Sequence, residues 1–257
     1  MTIRYLLCTL FMATHALAQT TPLPASVIRW DAHPAETTRT GARRQLVDER
    51  STTPLAYLEI HATTLNPGLA PHPPHTHDDL EELVIVKEGQ LRVTIGDRES
   101  VLGPGSVALA LPGDAHGFTN AGTTPVTYYI FRYRSKAPMD VARGQKAGGS
   151  LLLDVQALPL QANANGGRRD YFNRATAMFS RFEMHATTLK AGLQSHAPHT
   201  HAAEEFILPL RGNVEEQIGE ERGPATAGDL IFLASLVPHA ITNTGDSPTE
   251  YFAFQWE

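Results

Sequence analysis

Short apolar runs recur along the chain, each cut off by turn residues. Leu83-Val-Ile-Val86, Leu91-Arg-Val-Thr-Ile95, Ser106-Val-Ala-Leu-Ala-Leu111 and Val126-Thr-Tyr-Tyr-Ile-Phe131 are bounded by Gly, Pro, Asn or Asp. Runs of this length, rich in β-branched and aromatic residues, predict strands. Glu88-Gly89 and Gly96-Asp97 predict the turns between them. The same punctuation returns in Phe206 to Leu210, Asp229 to Ala234 and Glu250 to Trp256. Many short strands with few helical signatures predict an all-β chain, built as an antiparallel barrel or jelly roll.

The pattern occurs twice. Leu58-Glu-Ile-His-Ala-Thr-Thr-Leu65 matches Phe182-Glu-Met-His-Ala-Thr-Thr-Leu189, and Gly41-Ala-Arg-Arg44 matches Gly166-Gly-Arg-Arg169. Each copy spans roughly 90–100 residues, longer than the repeat of a solenoid, so it reads as a duplicated domain. The expected organisation is an N-terminal barrel over 19–137, a linker over 138–165 and a C-terminal barrel over 166–257. Gly-rich, polar stretches at Arg143 to Ser150 and Asn163 to Gly167 support the linker, although Leu151 to Leu160 inside it suits a strand or short helix packed on a barrel.

Composition narrows the function classes. Hydrophobic residues make up 42 % of the 257 and charged residues 19 %, as in an ordinary globular protein. A net charge of −6 without a basic cluster argues against nucleic acid as a partner. No apolar run approaches the ~20 residues of a membrane helix. Residues 1–18 resemble an export signal: Arg4, then the apolar stretch Tyr5 to Ala13, then Ala16-Leu17-Ala18 before a cleavage point. A periplasmic or secreted location is therefore expected. The sole cysteine, Cys8, falls in that segment, so the mature chain would have neither a disulfide nor a thiolate ligand.

The candidate chemistry lies in the repeat. His75-Thr-His77, Glu82 and His116 recur as His199-Thr-His201, Glu205 and His239, at offsets of 124 for the first histidine (199 against 75) and 123 for the last (239 against 116). Two histidines two apart leave the same face of a strand. Glu82 shares a face with Val84 and Val86, expected to be the barrel interior, and His116 arrives from a distant strand. Three imidazoles and a carboxylate suit Mn, Fe, Ni, Co, Cu or Zn, and leave positions open on an octahedral ion. Such an ion would act as a Lewis acid or activate water.

Other residues carry weaker readings. Glu81 and Glu204 precede the expected ligands and are the candidate catalytic groups, swapping in as ligands or working as general bases near the cavity mouth, against a plainer reading as solvated carboxylates. Glu59 with His61, and Glu183 with His185, share a strand face and suit a supporting pair. His72 and His196 lie just upstream of the ligand pairs. Arg43, Arg44, Arg168 and Arg169 suit salt bridges between the barrels, with an acidic substrate as the alternative. Asp114 reads as a turn residue.

These motifs resemble those of the bicupins, tandem members of the cupin superfamily. The first motif is His75, His77, Glu82, Gly89 and again His199, His201, Glu205, Gly212; the second is Gly105, Gly113, His116, Asn120 and again Gly228, His239, Asn243. The match departs where Leu111 holds a proline position and where Ala234 and Leu236 replace a proline and a glycine. The resemblance implies two tandem cupin jelly-roll β-barrels and up to two divalent ions per chain, Mn or Fe favoured and Zn, Ni, Co or Cu open. It implies a small-molecule substrate and leaves a homo-oligomer open. Dioxygenase- or decarboxylase-type chemistry ranks first. Metal-assisted hydrolysis of the aminohydrolase kind, isomerisation, and a non-catalytic module that binds a small ligand or metal remain as alternatives.

Overall fold

A computed structural model describes residues 21–257. The expected export segment 1–18, with Cys8, lies outside the described residues. The first half carries β1 (Ser26–Ile28), β2 (Glu36–Thr38), β3 (Gly41–Arg50), β4 (Leu55–Leu65), β5 (Glu81–Glu88), β6 (Leu91–Ile95), β7 (Arg98–Leu102), β8 (Val107–Ala110), β9 (His116–Asn120) and β10 (Val126–Ser135). A short helix α1 (Val141–Lys146) follows. The second half carries β11 (Leu151–Leu153), β12 (Gln161–Asn163), β13 (Gly166–Arg174), β14 (Phe182–Leu189), β15 (Glu204–Arg211), β16 (Asn213–Ile218), β17 (Glu221–Thr226), β18 (Leu230–Leu233), β19 (His239–Asn243) and β20 (Thr249–Trp256). Each half is a seven-stranded sheet and a three-stranded sheet enclosing an apolar core, as expected of a jelly roll.

The two large sheets run in the orders β11-β8-β5-β10-β4-β3-β2 and β1-β18-β15-β20-β14-β13-β12. The halves therefore exchange strands. β1 precedes the first half in sequence but pairs with β18 of the second, Val27 opposite Ile231. β11, in the stretch expected to be a linker, pairs with β8 of the first, Leu152 opposite Ala108. A buried parallel or antiparallel edge left unpaired would orphan its backbone groups, so each half supplies the closing strand of the other.

Strand alternation sorts side chains between two environments. On β10, Tyr128 and Ile130 enter the core of the N-terminal half, while Tyr129, Phe131 and Tyr133 face the opposite way. There they meet Phe182, Phe206, Phe252, Phe254 and Trp256 in a shared core between the two sheets. Phe131 stands edge-on to Phe254 at 5.2 Å and to Phe206 at 5.6 Å, and Tyr133 stacks on Phe179 at 5.1 Å. Edge-to-face and offset contacts of this kind suit the ring quadrupoles, and each fully buried ring stabilises the seam by roughly 1.5–3 kcal/mol through area alone.

The same parity puts Glu81 and Glu204 in the seam, which corrects the expectation that they work at a cavity mouth. Both are buried. Glu81 accepts hydrogen bonds from the backbone amides of Ala177 (2.7 Å) and Met178 (3.1 Å) in the other half. Glu204 accepts from the amide of Thr53 at 2.8 Å, across the seam in the reverse direction. Burial pushes Glu81 up to about 7, against the opposing effect of the Tyr133 and Thr176 hydroxyls and the two amides. These carboxyls fasten loops; they do not face the imidazoles.

The arginine pairs also stay within bounds the sequence did not reveal. Arg43 pairs with Glu59, and Arg168 with Glu183 at 2.7 Å, each within its own half. Arg44 donates to the carbonyls of Trp30 (2.9 Å) and His33, and Arg169 to those of Val155 (3.1 Å) and Leu158. They close the turn that follows each exchanged strand instead of forming salt bridges between barrels. Gly41 and Gly166 open the strands that carry these arginines, at φ 155° and 144°. A Cβ at either would lie 2.1 Å from the carbonyl oxygen of Thr64 or Thr188, so no other residue fits.

Replacing Glu81 with Ala strips two buried amides of their acceptor. It should cost roughly 2–4 kcal/mol, read as a lowered denaturation midpoint at unchanged metal content; an unchanged midpoint would show that the carboxyl does not fasten the seam.

Candidate metal centres

Each cluster is assembled from three chain segments. His116 opens β9 and Glu82 is the second residue of β5. His75 sits on no regular strand, contrary to the strand expected; it forms an isolated antiparallel bridge to His116. Pro71, Pro73 and Pro74 lack the N–H groups a ladder requires. The bridge is enough: His75 N donates to His116 O at 3.0 Å and His116 N to His75 O at 2.9 Å, which sets the two imidazoles side by side. His77 is fixed by the Gly113 amide, which donates to its carbonyl at 2.8 Å. The second half repeats this. His199 bridges His239, and the Leu236 amide donates to His201 O at 2.9 Å.

Leu236 also resolves the departure at that turn. It adopts φ 63° where Gly113 adopts 86°, so the left-handed turn survives a leucine. A branched residue there is strained by about 1–2 kcal/mol.

The ligand atoms of His75, His77, Glu82 and His116 all lie within 4.8 Å of one another, as do those of His199, His201 and His239. Glu205 stands against that second set, 3.1 Å from His201 Nε2 and 3.5 Å from His239 Nε2. His116 Nδ1 is 2.9 Å from the carbonyl of Asp114, and His239 Nδ1 2.9 Å from that of Val237. Donation from Nδ1 leaves Nε2 as a lone pair aimed inward. Both Nε2 atoms are buried without a hydrogen-bond partner, as is Oε1 of Glu82. His75 Nε2 and His77 Nε2 face each other at 3.0 Å. Buried acceptors turned upon one another are costly unless a cation lies among them. The donor set thus fits a transition-metal ion.

Electrostatics agree. Burial alone would raise Glu82 and Glu205, but the imidazoles standing against them, joined by Arg132 beside Glu82, hold Glu82 well below the carboxylate range and Glu205 at about 2. Burial, followed by the neighbouring His116, His72 and His77, lowers His75 to about 4. His72 and His196 stand edge-on to the first histidine of each set, at 4.3 Å in both halves.

With this geometry in place, the comparisons with known proteins decide the family. The sequence model of the cupin domain matches residues 62–131 and again residues 186–254. The chain is a tandem cupin. No curated protein matches it. Among solved structures, AerE from Microcystis aeruginosa is similar at TM-score 0.64 and 15% identity, covering 93% of this chain and 100% of that one. The formate complex of oxalate decarboxylase from Lactobacillus farciminis is similar at TM-score 0.68 and 12% identity, over 94% and 89%. A Bacillus subtilis oxalate decarboxylase with Mn(II) centres is similar at TM-score 0.67 and 13%, over 93% and 79%. At these identities the likeness is one of fold.

The two cupin halves differ in what surrounds the cluster. In the first, Arg132 Nε donates to Glu82 Oε2 at 2.7 Å and its guanidinium also reaches Glu59, 3.6 Å away. Glu59 in turn holds His61 at 3.0 Å, so the Glu59–His61 pair is coupled to the cluster through Arg132. In the second, Gln255 stands where Arg132 does (255 against 132) and binds Glu183 at 3.1 Å; among the described residues no arginine pairs with Glu205. Sequence reasoning missed Arg132, whose signal was an arginine in a largely apolar strand, two residues from the buried Ile130 on the same face.

Arg132 competes with a cation for Glu82. Arg132→Gln should therefore tighten Mn(II) binding at the first cluster roughly tenfold, measured by competition titration in a His199→Ala background. Unchanged or weaker binding would show that the guanidinium positions Glu82 without competing for it.

Proposed function

We propose that this tandem cupin is an exported, metal-dependent enzyme acting on a small polar substrate by dioxygenase- or decarboxylase-type chemistry, with Mn or Fe as the ion. The observation that carries the reading is the convergence of imidazole nitrogens and a carboxylate in each half, with Nε2 of His116, Nε2 of His239 and Oε1 of Glu82 buried without a partner. His75, His77, Glu82 and His116 would hold one ion, and His199, His201, Glu205 and His239 a second. A bound ion supplies Lewis acidity and open positions for a bidentate acid or for dioxygen.

The chain's own residues do the remainder. The carbonyls of Asp114 and Val237 fix the tautomers of His116 and His239, so both present Nε2 without rearrangement. The second cluster opens on a cavity of about 450 Å³ lined by Thr187, Ser195, Glu216, Tyr251 and Gln255. That volume suits a molecule of a few carbon atoms with room for water. The buried walls, Ile207, Ile241 and Ala253, exclude bulk water from the inner end. Similarity of fold to oxalate decarboxylases, one with formate bound and one with Mn(II) centres, supports an acid substrate and Mn.

Protein recovered from the periplasm should begin at Gln19 and carry about two ions by plasma emission, and His75→Ala and His199→Ala should each remove about one. The loaded protein should then turn over in a panel of small acids and phenols with dioxygen uptake or carbon dioxide release. Bound ion without turnover across that panel would assign the protein to metal or ligand capture instead, and absence of ion from freshly isolated protein would end the metal reading.

A further inference from the structure

Glu59 with His61 on β4 and Glu183 with His185 on β14 are copies of one pair, yet they stand in different surroundings. Leu58 and Ile60 on β4, and Phe182 and Met184 on β14, belong to the seam. Alternation therefore turns both pairs toward the interior of their own half. Directly across the ladder from His61 is Ile130; across from His185 is Ala253. Beside them Phe118 becomes Ile241 (241 against 118) and Arg132 becomes Gln255 (255 against 132). His61 is sealed, with 4% of its side chain exposed. His185 keeps 14% and lines the cavity that also holds the second histidine cluster. Support of a sheet needs no such opening, because the first half buries the same pair. Trimming an isoleucine to an alanine opposite His185 forfeits packing, and what it provides is access to an imidazole.

The orientation of that imidazole is fixed by groups outside the cluster. Nδ1 of His185 lies 2.8 Å from Oε1 of Glu183. Glu183 is buried, and it accepts from Arg168 at 2.7 Å and from the Gln255 side-chain amide at 3.1 Å. Burial alone would raise Glu183, but hydrogen bonding and attraction from His185, then Gln255 and Arg168, hold it below the usual carboxylate range. An ionised carboxylate only accepts, so Nδ1 carries the hydrogen and Nε2 the lone pair. Asp170, opposite His185 on β13, is held by Arg168 at 2.6 Å. The other titratable groups lining the cavity are Glu205, Glu216 (at the position of Val93, 216 against 93), His196, Tyr251 and the cluster histidines. Among the described residues none of these hydrogen-bonds to His185, and Nε2 has no partner.

We infer that His185 is a catalytic proton acceptor for a substrate bearing an acidic hydroxyl, of the enol or phenol kind, bound in the second cavity, with Glu183 as its positioning residue. The lone pair fixes the polarity of the contact: only a donor satisfies it, so an ether or an ionised acid group does not. In the transfer the substrate's O–H bond breaks and an Nε2–H bond forms. The electron pair stays on the substrate oxygen, and the imidazolium's charge is offset by Glu183. The proton returns from Nε2 to the product. A carboxylate behind an imidazole serves this purpose by holding the ring and stabilising its charged form. His61, covered by its neighbours, has no such access. The inference deepens the proposed enzymatic reading by naming the group on the substrate that reacts; it rests on the second cavity as the place of reaction and not on the ion.

The test uses the full chain loaded with diamagnetic Zn(II), its content counted, and 4-nitrophenol, whose colour reports its ionisation. 4-Nitroanisole lacks the proton, and 4-nitrobenzylamine offers a cation instead. The parent should bind nitrophenol about tenfold more tightly than nitroanisole, and the bound probe should ionise about one pH unit below the free probe. His185→Gln, at equal Zn(II) content, should lose that shift and about tenfold in nitrophenol affinity, with nitroanisole affinity kept within about threefold. A pair that only supports the sheet would lower the denaturation midpoint of His185→Gln and leave both probes unchanged, which would overturn the inference. So would nitrophenol bound no tighter than nitroanisole, a shift that persists in the variant, equal loss of both probes, or nitrobenzylamine bound more tightly than nitrophenol by the parent. Two-bond ¹H–¹⁵N spectra read the tautomer directly: His185, assigned by the signal lost in His185→Gln, should carry its proton on Nδ1, and a proton on Nε2 would also sink the idea. A chain that takes up no Zn(II) would defeat the metal reading alone, because tautomer and probe are then read on the metal-free protein.

Discussion

The apolar seam between the two large sheets governs everything else in this molecule. Phe131, Phe206, Phe254 and Trp256 point into it, buried on all sides. Because side chains alternate along a strand, committing these residues to the seam commits their neighbours to the cavities. On β5 the split falls between adjacent glutamates: Glu81 reaches across the seam to the Ala177 and Met178 amides, and Glu82 turns inward to His77 and His116. β15 divides Glu204 from Glu205 in the same way. A register slip of one residue would put a ligand carboxylate into the aromatic seam and a seam carboxyl into the cluster. The stability of the interface and the geometry of the clusters are therefore one constraint seen from two faces of a sheet.

On that common frame the halves have diverged. The first keeps a tight, complete set of four ligands but shares its carboxylate with Arg132 and fills the adjoining space with Phe118 and Ile130. The second has a carboxylate standing outside its tight set of three histidines, no arginine on that carboxylate among the described residues, smaller walls, and an acid where a valine would pack. Exchange of β1 and β11 ties the two together, so that the edge of each cluster-bearing sheet is completed from the other half.

Much of this was legible in the residues. The interior placement of Glu82 with Val84 and Val86 followed from period-two alternation, and the duplicated histidine spacing marked both clusters and the cupin fold. Four things were not legible. Leu151 to Leu160 was legible as a strand packed on a barrel, but its exchange with β1 was not, because Ser-Val-Ile and Leu-Leu-Leu share no identity and no repeat signal linked them. Strands buried on both faces, such as β10, lose the alternation that would have distinguished seam from cavity. The role of Glu81 depended on a partner about a hundred residues away, and local reasoning could place it only opposite Glu82. Leu236 was read as a departure from the turn, whereas the backbone keeps the turn and bears the strain.

The central claim is that each half gathers its imidazoles and carboxylate around a cation. Anomalous diffraction from crystals of the natively purified protein, collected on both sides of the Mn and Fe absorption edges, tests it most directly. The account predicts a peak bonded to the Nε2 atoms of His116 and His239 and to their partners in each half. Anomalous maps flat at both clusters, or a peak held by groups elsewhere on the chain, would contradict it.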